Sequence, residues 1–256
     1  MERRKVRDKA ADKSAAFSDF AVWRHRLYRY LIHFVYPNRC PGCNAIIEYT
    51  HGAFCKKCAR ELIPYEKEFA VPDTDGFAAF CVYGGLAKKV LLHFKHDSCG
   101  NMDYAFACGI FEALCSRALG GEVDVITYIP MLRSDLEKRG YNQARLIARE
   151  LRFLLKAPCA ELLEKCRETR EQKSLDGGER RSNVRGAFHV IDSEAVQGRS
   201  ILLVDDLCTT GSTLSEAAKT LKEAGASKVI AAVYAKTVFE GEKGIPFSDE
   251  RKERDL

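Results

Sequence analysis

The sequence predicts an α/β protein, a parallel sheet flanked by helices, with a small cysteine-rich module in front of it. Three observations carry this. From Phe77 onward, short apolar runs alternate with stretches of helical periodicity. One of those runs, ILLV at 201–204, is apolar at every position, as expected of a strand buried on both faces. Between Cys40 and Cys58 lie two Cys-x-x-Cys pairs, in a span too short to build a core of its own.

Taken in chain order, the 256 residues are 46% hydrophobic and 30% charged, which suits one main core and a small appendage. No stretch approaches 18 uncharged apolar residues, so no membrane-spanning helix is predicted. The opening MERRKVRDKAADKSAAF is charged throughout and lacks the apolar segment of a secretory signal, which predicts a cytoplasmic protein. Eleven cysteines in a reducing compartment are expected as thiols or metal ligands rather than disulfides. A net charge of +5 permits polyanionic partners without requiring them.

Residues 1–36 form a basic segment with nine Lys/Arg against four Asp/Glu. Within it Phe20, Trp23, Leu27, Leu31 and Phe34 fall near helical spacing, with Arg24, Arg26 and Arg29 between them. Two readings stand. One is a basic amphipathic helix for a membrane surface, DNA or a partner protein; the other is a terminal helix packing its apolar stripe on the domain that follows. The cysteine module spans 37–65, the main domain 70–240 and a charged tail 241–256. Neither internal repeats nor low-complexity tracts interrupt them.

Cys40-Pro-Gly-Cys43 and Cys55-Lys-Lys-Cys58 are separated by eleven residues. Each pair presents two sulfurs to one ion, and four thiolates suit a tetrahedral Zn²⁺. The spacer is slightly shorter than in a usual zinc ribbon. Four protein ligands leave no open coordination position, so the zinc is expected to be structural. Chelation is expected to unfold 37–65 and spare the larger domain.

In the main domain FAAFCVYG reads as a strand, LAKKVLLHFKH as a helix, DVITYIP as a second strand and MLRSDLEKRGY as a loop. NQARLIARELRFLLK follows as a helix with Asn142 as its cap and Ala144, Ile147, Leu151 and Leu154 on one face. SILLV is a strand, STLSEAAKTLKEAG a helix ended by Gly225, and KVIAAVYAK another strand. In such folds ligands bind beyond the carboxyl ends of the strands. Asp205 and Asp206 sit at such an end.

Two adjacent carboxylates there can accept hydrogen bonds from two neighbouring hydroxyls or lie near a divalent cation. Cys208-Thr209-Thr210-Gly211-Ser212-Thr213 then leads into a helix N-terminus, where backbone amides and the helix dipole favour an anion. Diol acceptors beside a phosphate nest describe a ribose 5-phosphate site. Thr213 with Glu216 also has the spacing of a capping box, which accounts for part of the motif but not for paired aspartates. No G-x-x-x-x-G-K-[ST], G-x-G-x-x-G or H-E-x-x-H occurs, which removes those nucleotide and metalloprotease readings.

LLVDDLCTTGSTL resembles the phosphoribosyl pyrophosphate (PRPP) motif of type I phosphoribosyltransferases. With the four-cysteine knuckle, FKH, IPMLRSDLEKRGYNQARLIA and RETREQKSLDGGERRSNVRGAF, residues 28–236 resemble the ComF family of competence-associated proteins. The resemblance implies a type I phosphoribosyltransferase-like sheet. It implies that Asp205 and Asp206 bind the ribose 2- and 3-hydroxyls, and that Thr209, Thr210, Gly211, Ser212 and Thr213 hold the 5-phosphate. Cys208 stands where the family usually has an aromatic or aliphatic residue. Arg133, Lys138 and Arg139 are expected to meet the pyrophosphate. The stretch 167–185 resembles the mobile loop that closes over substrate, with Arg167, Thr169, Gln172, Arg180 and Asn183 at the family's motif positions.

The implied chemistry is transfer of phosphoribosyl from PRPP, with Mg²⁺, to an unidentified acceptor with loss of pyrophosphate. Two further readings stay open: a PRPP-binding regulator without turnover, and an accessory factor of natural transformation. The latter would bind single-stranded DNA, with Tyr28, Tyr30 and Tyr36 stacking bases and DNA-uptake machinery as partners.

Overall fold

The computed structural model describes residues 19–35, 37–47, 53–96, 102–121, 123–166 and 186–238. Four strands, β1 (Gly76–Val82), β2 (Val125–Tyr128), β5 (Ser200–Cys208) and β6 (Lys228–Lys236), form one sheet in the order β1-β6-β5-β2, every neighbouring pair parallel. Their sequences explain the arrangement: Ile201 to Val204 and Val229 to Ala235 are wholly buried, so both faces of the central strands are covered. On one face lie α3 (Gly85–His96), α4 (Met102–Ser116) and α6 (Gln143–Leu155), which contribute Leu91, Phe106, Ile110, Ile147 and Leu151. On the other lies α8 (Ser212–Glu223), with Leu214, Ala217 and Leu221 inward, beside an antiparallel pair of β3 (Leu163–Lys165) and β4 (Phe188–Val190). The short α7 (Ser193–Val196) leads into β5.

The architecture agrees with the sequence, and four details differ. Residues 131–141, expected as a loop, contain α5 (Arg133–Arg139). Asp135 in its first turn, Lys138 and Arg139 in its last, and Gly140 at φ 83° as its left-handed cap favour that turn of helix. The helix α4 and the β3–β4 pair were not anticipated. The strand expected as SILLV runs on through the acidic pair to Cys208, because β6 continues alongside and pairs with Asp205, Leu207 and Cys208.

The fourth difference is at the N-terminus, where α1 (Asp19–Val35) forms as its spacing predicts but presents the opposite face. The polar side meets the domain: His25 stacks on Phe153 at 3.7 Å, and Arg29 lies 3.7 Å over the Tyr104 ring. Glu150 of α6 receives both His25, at 3.3 Å, and Arg29, at 3.6 Å. Trp23, Leu31 and Phe34 remain 56%, 56% and 72% exposed. The pairing with Glu150 draws the helix down on its basic side.

The cysteine module, with α2 (Lys56–Glu61), packs on α3. Cys40, Phe54, Cys58 and Leu62 join one continuous core with Ala87, Val90, Leu91 and Phe94. Among the described residues, no helix is long and apolar enough to cross a membrane.

Candidate functional site

The four knuckle sulfurs lie within 4.8 Å of one another. A tetrahedral zinc with bonds of about 2.3 Å needs its sulfurs roughly 3.8 Å apart, and Cys43 Sγ to Cys55 Sγ is 3.7 Å. The backbone aims amides at the sulfurs: Cys55 N–H donates to Cys40 Sγ at 3.4 Å, and Cys58 N–H to Cys55 Sγ at 3.5 Å. The Cys58 amide draws the Cys55 thiol down to about 7, while burial pushes the Cys58 thiol up. A side chain at Gly42 would meet Cys58 Sγ at 2.8 Å, so the tight turn between the first two cysteines has no room for one. Four cysteines on two knuckles make a closed, structural zinc-binding cluster.

The second site opens at the carboxyl end of the sheet. The strand β2 stops at Tyr128, opposite Val204, while β5 continues for four more residues with β6 alone as neighbour. At this end of β5 lies a cavity of about 180 Å³ whose lining includes Lys95, Asp205, Asp206, Cys208, Thr209, Gly211, Ser212 and Thr213. The sequence-predicted acidic pair and hydroxyl-rich turn therefore meet in one hollow. A wider depression of about 540 Å³ lies at the other end of α8, but its Asp75 is already engaged by Lys222 and by the Val229 amide.

Asp205 Oδ1 accepts the backbone N–H of Asp206 at 2.8 Å, which holds the Asp205 carboxyl against the Asp206 backbone. Burial, reinforced by the neighbouring Asp206 charge, pushes the Asp205 carboxyl well above the usual carboxylate range. Lys95, at the end of α3, reaches Asp206 Oδ2 at 3.0 Å. Burial alone would push its ammonium down; the facing Asp206 outweighs this, and the pKa of Lys95 is raised.

Gly211 begins α8 in the left-handed region at φ 82° and provides no side-chain cap, so first-turn residues Ser212 and Thr213 line the cavity. Thr210 Oγ1 and Ser212 Oγ hydrogen-bond at 2.9 Å. The capping-box spacing of Thr213 and Glu216 is not used that way: Glu216 accepts the N–H of Gly186. Cys208 points into the core at 2% exposure, and burial pushes its thiol up to about 12, leaving it a protonated packing residue.

The turn is braced from behind. Lys236, at the end of β6, is 1% exposed; its Nζ donates to the Thr209 carbonyl at 2.9 Å and also to that of Thr237. It also lies 4.2 Å over the Phe69 ring. Lys236→Met removes a donor from two carbonyls and is expected to cost about 1–3 kcal/mol of stability. If the turn holds the 5-phosphate expected from the sequence, its loosening should also weaken ribose 5-phosphate binding roughly tenfold. Denaturant melts and calorimetric titration of the variant check both.

Of the basic loop, Arg133 stands on exposed α5 against Glu137 at 3.4 Å, and Lys138 is exposed; neither lines the cavity. Arg139 does not line it either; it donates to Gln143 at 3.4 Å and lies close enough to Lys95 for like-charge repulsion. Asn142 caps α6 as expected, accepting from Arg145 N at 3.1 Å and donating to the Ile129 carbonyl at 3.0 Å. Arg167, Thr169, Gln172, Arg180 and Asn183 fall outside the described residues. Sequence reasoning missed Lys95 and Lys236. The first lies in the FKH signature, and the second is a lone lysine ending an apolar strand, a position that calls for a buried partner.

The model of a phosphoribosyl transferase domain matches residues 136–247, and that of a double zinc ribbon domain matches 31–69. Competence protein F of Haemophilus influenzae is 26% identical over 208 residues, 77% of this chain and 90% of that protein. The DNA utilization protein YhgH of Salmonella typhimurium is 34% identical over 197 residues, 74% of this chain and 80% of that protein. The chain belongs to the competence protein F and YhgH family. Within that family it combines the zinc-binding cluster with a phosphoribosyltransferase-type sheet. Glutamine PRPP amidotransferase from B. subtilis shares 21% identity over 55% of this chain and 30% of its own, at a TM-score of 0.36. A score that low carries no argument.

Proposed function

We propose that this chain binds PRPP and transfers its phosphoribosyl group to an acceptor, in the service of DNA uptake or use. The observation that carries the reading is the shared hollow: paired carboxylates and a hydroxyl-rich helix N-terminus line one cavity at the sheet's carboxyl edge. Asp205 and Asp206 accept the two ribose hydroxyls. Thr209 to Thr213 offer hydroxyls and amides to the 5-phosphate. Arg133, Lys138 and Arg139 are assigned to the pyrophosphate side, and Arg167, Thr169, Gln172, Arg180 and Asn183 to the segment that covers it.

In the reaction the bond from ribose C1 to pyrophosphate breaks, the pyrophosphate leaves with the electron pair, and positive charge develops on the ring. The acceptor attacks C1 from the opposite face and then gives up a proton. The protein's share is positioning and electrostatics, with Asp206 beside the developing charge. Mg²⁺ is commonly held by one or two carboxylates together with substrate phosphates, a description Asp205 and Asp206 meet, and it would neutralise the departing pyrophosphate. The reading is that of a cytoplasmic protein, whose reducing surroundings suit the four-cysteine metal cluster.

A second reading follows from exposed aromatics. Tyr28 and Tyr30 are 61% and 48% exposed on α1, which also carries Arg24 and Arg26, as a single-strand stacking surface would have them, while Tyr36 lies outside the described residues. The relatives' names, competence protein and DNA utilization protein, point the same way.

The test is PRPP titration of wild type and Asp206→Asn by calorimetry, followed by a pyrophosphate-release assay across candidate bases. Wild type is expected to bind, and the variant to lose roughly 10–100-fold in affinity as a charged acceptor is neutralised. Equal binding by both proteins, or none by either, overturns the assignment. Binding without pyrophosphate release from any base makes the chain a PRPP-binding regulator. Salt-steep binding of a single-stranded oligonucleotide, lost on neutralising Arg24 and Arg26, assigns DNA to α1.

A further inference from the structure

Of the large hydrophobic side chains that the described residues leave exposed, most stand on one helix, α1. Phe20, Trp23, Leu27, Leu31 and Phe34 recur at three and four residues, so at about 100° per residue they share an arc of roughly 80°. Phe20 stacks on Trp23 at 5.9 Å, and Tyr30 meets Phe34 edge-on at 5.2 Å, which gathers the rings into a ridge. Packing holds this ridge outward. Val22, His25 and Arg29 occupy the opposite arc and meet the domain, and the pairing with Glu150 fixes them there. A contiguous apolar face of this kind marks a surface that something else covers.

The margins of the ridge carry charge of one sign. Arg24 flanks it on one side and Arg26 on the other, both exposed, and Asp19 is the only carboxylate in the helix. Residues 1–18 bring six further Lys/Arg against three Asp/Glu. Tyr28 and Tyr30 stand beside the arginines, an apolar ring with a polar tip being suited to a membrane–water boundary.

We propose that α1 is a docking face for an anionic lipid surface. It lies in the plane of the headgroups, with the ridge among the acyl chains and the arginines at the phosphates. Three features choose lipid over other covers. The ridge mixes Leu27 and Leu31 with its rings, whereas bases stack on flat aromatic faces. A second copy seated on the ridge would bring the arginine margins of both helices together, like charge on like. At 17 residues with three arginines, the helix is neither long nor apolar enough to cross a bilayer, so it rests on one. Apolar burial and attraction to anionic lipid then add. The face uses no residue of the sugar site, and the proposal does not rest on the PRPP reading.

Trp23 is the only tryptophan in the chain, so its emission reports on the ridge directly. The full chain is mixed with vesicles of phosphatidylglycerol and phosphatidylcholine in equal parts, and separately with vesicles of phosphatidylcholine alone. The anionic vesicles should shift the Trp23 emission to the blue and carry the chain into the pellet. Phosphatidylcholine vesicles should bind at least about tenfold more weakly, each arginine near the surface being worth roughly fivefold. Leu27→Gln combined with Leu31→Gln keeps good helix formers and should weaken binding at least about tenfold through lost apolar burial. Arg24→Gln combined with Arg26→Gln should lower binding to anionic vesicles to the phosphatidylcholine level. Circular dichroism checks that the helix is retained, and if the leucine variant loses it, the arginine variant decides alone. Unshifted emission with anionic vesicles, equal binding to both vesicle types, or a folded variant that binds like wild type overturns the proposal. A blue shift that grows with protein concentration alone, with a dimer in sedimentation, assigns the ridge to a second copy and overturns it too. So does an emission change produced by a single-stranded oligonucleotide and not by vesicles, which gives the helix to DNA.

Discussion

Cys58→Ser is expected to abolish zinc binding and to destabilise the whole chain, not the knuckle alone. Cys58 is 3% exposed, and serine offers a hard hydroxyl in place of a thiolate. Metal binding to small cysteine sites supplies about 10–16 kcal/mol of apparent folding free energy, comparable with the roughly 5–15 kcal/mol that holds a whole domain together. The sequence alone suggests a detachable knuckle whose loss spares the rest. The structure argues otherwise, because Cys40, Phe54, Cys58 and Leu62 share one core with the inner face of α3. Zinc content should fall from about one ion per chain to near none, since the metal site and the local fold form together. The melting midpoint of the main domain should drop by more than about 10 °C. Metal quantitation together with a thermal scan checks it, and an unchanged scan on a zinc-free variant would make the knuckle independent.

The second large effect belongs to Gly211→Val. The position has φ 82°, and a Cβ there would touch Phe69 and Val71 side chains at 3.4 Å. A β-branched residue in the left-handed region costs about 1–3 kcal/mol, and the chain can relieve that only by turning the peptide that starts α8. The amides proposed to meet the phosphate then turn away. Ribose 5-phosphate affinity is expected to fall about 100-fold, in line with removing two charge-assisted hydrogen bonds of roughly 1.5–3 kcal/mol each. Melting should change far less than in Cys58→Ser. Calorimetry of the valine variant decides, and affinity equal to wild type would remove the first turn of α8 from the phosphate site.

Much of this was legible in the sequence where one local signal spoke for one element. ILLV, KVIAAVYAK and the Asn142-capped helix form as their patterns predict. The helix α4 escaped because MDYAFACGIFEALCS is buried nearly all round, from Met102 to Leu114, and so shows little amphipathic period. The sequence of α1 predicts its helix but not its orientation, which Glu150, more than a hundred residues away in sequence, decides. The acidic pair and its hydroxyl turn form a contiguous motif and were visible as such. Lys95 and Lys236 reach the same hollow from two other elements, and no local pattern ties them to it.

The inequality between two neighbouring strands has a wider meaning. Because β2 ends at Tyr128 while β5 runs to Cys208, the last four residues of β5, the acidic pair among them, have β6 alone as strand partner. Residues that prolonged β2 would pair with that edge and take up its open backbone groups, with every aspartate, threonine and lysine still in place. Silencing lesions should therefore arise by insertion after Tyr128 as well as by substitution within the motif.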